Sequence, residues 1–277
     1  MIRSGSATIS VLRREMARVH RNGGRLSTNY FNQCNNCTEE LPCWVGDNAI
    51  VFQWNDNGVP RIYFYAVDNA ELTQMLQLTE DGCCIDYLTK NKDENRDLFE
   101  NAGYSLHTVF GRISKKINLT NNSTESSSTF VREEDILIGD GVGCARVEDA
   151  EEIDACMRDV FDPYESHFYD METLREYIRR GWIYIVRREG KIIAAKIFEV
   201  HGKTLYNAHI FNKGTADDLL LLTKTSDAAV EKFGCTFLYG WQDIENRRVI
   251  RLNIKLAKYR FDGLYDAIYV KGKKKNV

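Results

Sequence analysis

Proline is scarce in this chain, three residues in 277, and no apolar run nears the ~20 residues needed to cross a bilayer. The second absence excludes an integral membrane role built on helices. With 43% hydrophobic and 28% charged residues, the composition is that of a soluble globular protein. Net charge is only −3, which gives no general reason to expect nucleic acid. The N-terminus lacks the apolar core of a secretory signal, so the expected compartment is the cytoplasm. Eight cysteines in that setting read as reduced thiols rather than a disulfide framework. Cys34-x-x-Cys37 with Cys43 has metal-like spacing, but no neighbouring histidine or second pair completes four ligands, and no metal is expected. A Walker-type loop, a G-x-S-x-G elbow and an H-E-x-x-H helix are all missing.

What is present falls into two halves. The polar run from Asn118 to Thr129 cannot bury enough apolar surface to pack and reads as a linker. The expected division is residues 1–117, a linker at 118–130, and residues 131–277. In the first half, an arginine-rich helix spans about Ser10 to Arg21. The turn Asn55-Asp56-Asn57-Gly58 separates strands at Asn48–Trp54 and Arg61–Ala66. Asp68 caps the next helix; a strand at Cys83–Leu88, a helix at Lys92–Ala102 and a strand at Leu106–Ile113 follow.

In the second half the pattern predicts helices at 148–160 and 171–180. Strands Trp182–Arg187, Ile192–Val200 and Thr204–Phe211 come next, then a helix over Thr215–Phe233 and a strand at Thr236–Trp241. A helix over Ile244–Ala257 and a strand at Leu264–Val270 complete it.

The stretch Asn246 to Lys258, with Tyr259, Phe261 and Gly263 after it, resembles the last helix of the GNAT (N-acetyltransferase) superfamily, N-x-x-A-x-x-L-Y-x-K-x-G-F. Asn246, Val249, Leu252 and Lys255 fall on the matching positions. A looser copy, Leu98 to Tyr104, lies upstream and suggests a duplicated fold. The layout is similar to tandem-GNAT proteins, including the C-terminal domains of phosphatidylglycerol lysyltransferases, and to the Fem-type transferases. The resemblance implies an α/β (α+β) protein of two GNAT-like domains, each a mixed, mostly antiparallel sheet flanked by helices.

It also implies acyl transfer from acetyl-CoA or another acyl-CoA to a small-molecule or peptide amine. The family's pyrophosphate loop corresponds to Ile210-Phe211-Asn212-Lys213-Gly214-Thr215-Ala216. Gly214 and Ala216 suit close phosphate approach to a helix start; Phe211 and the pair Asp217-Asp218 depart from the pattern. The matching junction of the first half, Tyr65 to Glu71, has no glycine and two acids, so the first copy is expected to be degenerate.

The tyrosine that protonates the leaving thiolate in many GNAT enzymes is replaced here by Asn253; Tyr259 and Tyr265 are the substitutes at hand. Glu199 and His209 are the candidate bases. Strict alternation puts Asn207, His209 and Phe211 on one face of their strand. Asn246 either contacts cofactor or caps its helix. Arg3, Arg13, Arg14, Arg18, Arg21 and Arg25 against one acid, and the terminal lysines from Lys271, suit a solvated surface or an anionic partner such as tRNA or an acyl carrier protein. Aminoacyl transfer from charged tRNA and a non-catalytic binding protein are the alternative functions.

Overall fold

The turn at Asn57-Gly58 carries two positive φ angles, 52° and 93°, which set the primed hairpin geometry that the right-handed twist of paired strands requires. The computed structural model, which describes residues 1–30, 37–117 and 136–272, places Asp56 opposite Val59 across it. In chain order the strands and helices are β1 (Arg3–Ala7), α1 (Ile9–Arg21), β2 (Ser27–Thr28), β3 (Leu41–Val45), β4 (Ala49–Asp56), β5 (Val59–Ala66), α2 (Asn69–Gln77), β6 (Cys84–Thr89), α3 (Arg96–Asn101) and β7 (Tyr104–Lys116). There follow β8 (Gly141–Cys144), α4 (Ala150–Val160), α5 (Met171–Arg179), β9 (Ile183–Arg188), β10 (Lys191–His201), β11 (Thr204–Asn212), α6 (Ala216–Phe233), β12 (Phe237–Asp243), α7 (Arg247–Arg251) and β13 (Arg260–Lys271). The linker expected at 118–130 and Cys34 of the cysteine cluster lie outside the described residues.

The chain forms two compact units. Unit 1 comprises Met1–Phe110, Pro163–His167 and the chain from Gly263 on; unit 2 comprises Gly111–Asp162 and Phe168–Asp262. Each is a mixed, mostly antiparallel sheet with helices.

In unit 1, β3 pairs antiparallel with β1 and β4, and β4 with β5. The strand read as the end of the second half lies here: β13 pairs antiparallel with β6, Tyr265 opposite Thr89 and Ile268 opposite Asp86. Local pattern reports only that 264–270 is a strand; the choice of neighbour is a tertiary decision. Ile9, Leu12, Met16 and Val19 line one face of α1 at helical spacing and pack on Ile50, Phe52 and Tyr63. Asp68 caps α2, accepting from the amides of Ala70 and Glu71.

Lys271 is not part of a loose basic tail. Its amine, nearly buried, donates to the carbonyls of Leu76 (2.8 Å), Gln77 (2.9 Å) and Thr79 (2.6 Å) and so closes the end of α2.

Arg61, 1% exposed, is the keystone of unit 1. Its Nε donates to Asp56 (2.8 Å), Nη1 to Asp86 (2.7 Å), and Nη2 to the carbonyls of Pro163 (3.2 Å) and Ser166 (3.0 Å). His167 completes the network, with Nδ1 2.6 Å from Asp56 and Nε2 3.3 Å from Asp86. Burial alone would raise the Asp56 carboxyl, but His167 and Arg61 together hold it below the usual range.

In unit 2, β8, β9, β10 and β11 pair antiparallel in that order, and β12 runs parallel to β11. One face packs on α6 through Phe198, Leu205, Leu222, Ala229 and Leu238. The other packs on α4 and α5 through Ile153, Met157, Leu174, Ile178, Ile197 and Phe211. No helix among the described residues is long and apolar enough to cross a membrane.

Candidate active site in unit 2

Two backbone irregularities open a site in an otherwise continuous sheet. Ile197 faces His209 across β10 and β11, yet Phe198 faces Asn207, so Ala208 is an extra residue in β11, a β-bulge. On the other edge, β11 and β12 pair only from Thr204↔Phe237 to Asn207↔Gly240. Beyond that point β11 runs on to Asn212 and β12 to Asp243 without pairing to each other among the described residues. The strands part, and the backbone of 208–212 has no strand partner on that edge among the described residues. Gly240 sits at the fork, where an added Cβ would lie 3.3 Å from Asn207.

The bulge overturns the expected alternation. Asn207 shares the α6 face with Leu205, because its Nδ2 donates to the hydroxyl of Tyr259 (3.1 Å), itself in that core. His209 lies on the opposite face, its ring edge-on to Phe161 (5.3 Å) and Tyr169 (5.5 Å). One inserted residue sends the following side chains to the other side of the sheet.

On the α6 side, Asn253 donates from Nδ2 to Oε1 of Gln242 (2.8 Å). Two buried polar atoms are then left without a hydrogen-bond partner among the described residues: Oδ1 of Asn207 and Nε2 of Gln242, whose side chain is 7% exposed. Such orphans are costly unless something fills the space beside them. Burial raises the Tyr259 hydroxyl above its ordinary range, only partly offset by Asn207, so it keeps its proton.

On the other side, Glu199 stands in a cluster of tyrosines. Its carboxylate accepts from the Tyr169 hydroxyl (2.8 Å) and lies 3.2 Å from Nε2 of His201, with Tyr177 packed edge-on to Tyr169 at 4.9 Å. Tyr206 and Tyr239, paired across the strands, stack at 4.7 Å. Burial first, and then the Glu199 charge, raise Tyr169 and push Tyr177 up to about 12, so both hydroxyls keep their protons.

The loop expected to take a pyrophosphate is occupied by its own side chains. The amide of Gly214 donates to Oδ1 of Asn212 (3.0 Å), and that of Thr215 to Oδ2 of Asp218 (2.9 Å). Asp218 also takes the Thr215 hydroxyl (2.7 Å) and Arg188 (3.0 Å). Lys213 pairs with Asp159 (2.6 Å). Phe211 is 3% exposed in the core and Ile210 is 40% exposed, while Ala216 opens α6. This is a helix capping box, and a phosphate there would have to displace Asp218. Asn246 caps α7, accepting from the amide of Val249 (3.2 Å). Tyr265 belongs to unit 1, opposite Thr89.

Glu199, Tyr259 and Asn253 are legible as candidates in the sequence, whereas Tyr169, Tyr177, Asn207 and Gln242 are not. None stands in a local motif; the parting of the strands alone assembles them. Of the arginines, Arg18 bonds Glu15 (2.8 Å) and Arg25 bonds Glu94 (2.8 Å), whereas Arg13, Arg14 and Arg21 are exposed on α1.

No protein-family model matches the chain, and no curated protein matches its sequence. Solved structures do match its fold. A GCN5-related N-acetyltransferase from Sphaerobacter thermophilus superposes with a TM-score of 0.56 at 11% identity, covering 98% of this chain and 95% of that one. A tandem GNAT protein from the clavulanic acid biosynthesis pathway, solved without acetyl-CoA, gives 0.52 at 9% identity and covers all of both chains. The fold is a tandem GNAT fold.

Proposed function

We propose that this chain is an N-acyltransferase that moves an acyl group from a thioester, acetyl-CoA or another acyl-CoA, to an amine at the parting of β11 and β12. The observation that carries the reading is the pair of buried amide atoms without a partner among the described residues, Asn207 Oδ1 and Gln242 Nε2, beside a strand edge that no described strand pairs. An extended chain of amides laid in that gap would satisfy both. The thioester supplies the acyl carbonyl and the departing thiolate.

Glu199 takes the proton from the acceptor ammonium, its carboxylate held in place by Tyr169 and His201. Tyr259, fixed by Asn207, holds the proton that the departing sulfur needs, in place of the tyrosine absent at Asn253. The filled corner at Gly214 and Thr215 means that the arm, not the pyrophosphate, supplies the affinity.

Acetyl-CoA at about a hundredfold excess over Kd should stabilise the chain by about 3 kcal/mol, a rise of several degrees in Tm. Gln242→Leu should weaken binding about tenfold. Glu199→Gln should lower kcat by about 10²–10⁴ with little change in KM, since it removes a proton acceptor and not a binding surface. Absence of any Tm shift with acetyl-CoA sinks the reading. Salt-sensitive binding of uncharged tRNA through the exposed arginines of α1 would instead favour transfer from an aminoacyl-tRNA.

A further inference from the structure

Unit 1 has its own strand fork. β5 and β6 are parallel and pair only at Arg61↔Cys84, yet β5 continues to Ala66 and β6 to Thr89. Because β4 covers the other edge of β5 along its whole length, anything else paired to β5 lies on the β6 side. That place is taken by the chain itself. Ser27 pairs with Ala66 and Thr28 with Tyr65, in the short strand β2.

Asn29 goes further in. Only 2% exposed, it reaches both strands at once: Nδ2 donates to the carbonyls of Ile62 (2.8 Å) and Asp86 (3.1 Å), and Oδ1 accepts from the amide of Phe64 (2.8 Å). Further contacts pin the segment. The Thr28 hydroxyl donates to the Phe64 carbonyl (2.7 Å), Asn95 donates to the Ser27 hydroxyl (3.2 Å), and Tyr30 packs edge-on to Phe52 at 5.6 Å. A cavity of about 600 Å³ remains at the entrance, lined by Arg25, Ser27, Asn69, Tyr87, Asn91 and Asn95.

We infer that the gap between β5 and β6 is a second groove for an extended amide chain, closed in cis by residues 27–30, so that the chain takes a single thioester donor. The inference rests on the proposed function for its ligand class but on separate atoms for its geometry. The two forks differ in one chemical respect. In unit 2 the lining amides Asn207 and Gln242 are short of partners, whereas in unit 1 the carboxamide of Asn29 bridges the strands as an amide of a bound arm would. The cavity is the part of the groove that the segment leaves open.

Isothermal titration of the full chain with acetyl-CoA tests this. The wild type should bind one equivalent, and that equivalent should weaken on Gln242→Leu and not on Asn29→Ala. Asn29→Ala should raise the stoichiometry from one to two, the second equivalent binding more weakly. If Asn29→Ala fails to fold, Asn29→Asp keeps the acceptor for Phe64, loses both donors, and is read in the same way. Two equivalents in the wild type, or one equivalent persisting in both Asn29 variants, overturns the inference. A single equivalent seen only when Asn29 is replaced would sink the unit 2 site and leave this groove standing. No binding to any of these proteins overturns both.

Discussion

Lys196 carries its amine into the apolar face beneath α6, with Ser226 as its hydrogen-bond partner and the Phe198 ring 5.0 Å away. Burial lowers its pKa to about 8. The unfolded chain takes up this proton as pH falls through about 10.4, but the folded chain does so only near 8. Between those values the unfolded state binds more protons, so stability rises with pH. The difference is on the order of 3 kcal/mol, absent above pH ~10.4 and fully expressed below ~8. Denaturant midpoints of the wild type should therefore climb from pH 8 to pH 10, and Lys196→Met should flatten that slope.

His167 titrates in the opposite sense. Partial loss of solvent would lower it, though its side chain is 54% exposed; its hydrogen bonds to Asp56 and Asp86 outweigh this and push it up to about 9. An NMR titration should find its imidazolium persisting above pH 8, and its contribution to the network fading as pH passes 9. A resonance titrating near 6.5 would contradict the geometry.

At the scale of elements, short polar details decide more than propensity does. The helix expected over Ile244–Ala257 is a single turn and a half, α7, continued by a π-helical turn at Leu252–Leu256. It ends where Lys258 turns to a φ of 61°. That wider turn sets Asn253 against Gln242, and Tyr259, whose amide donates to the Asn253 carbonyl (3.0 Å), against Asn207. Periodicity in the sequence cannot distinguish i→i+4 from i→i+5 bonding over five residues. In unit 1, Arg61 ties β4, β5 and β6 to the segment 163–167. Replacing one member of such a network strands the others, so Arg61→Met should destabilise by about 3–5 kcal/mol, read as a loss of Tm and of denaturant midpoint.

At the scale of the whole molecule, the units do not follow the chain's halves. Unit 1 draws β13 and residues 163–167 from sequence beyond residue 130. A fragment of residues 1–117 would expose the edge of β6 and leave Arg61 without the Pro163 and Ser166 carbonyls. It should show no cooperative thermal transition by circular dichroism, while the full chain should melt cooperatively. A native-like melt of the fragment would show that β13 is dispensable.

The sequence by itself determined the number and kind of most elements, because helix caps, glycine turns and apolar spacing are local. Asp68, Thr215 and Asn57-Gly58 each act within four residues. Glu199, Tyr259 and Asn253 were legible as candidates through the likeness of one helix ending and its neighbouring strands. Tertiary structure alone decided the remainder: which sheet β13 joins, that Ala208 is a bulge, that Asn29 fills one fork, and that Nε2 of Gln242 has no partner among the described residues in the other. Each of these depends on hydrogen bonds between residues distant in sequence, and no local pattern encodes the partner.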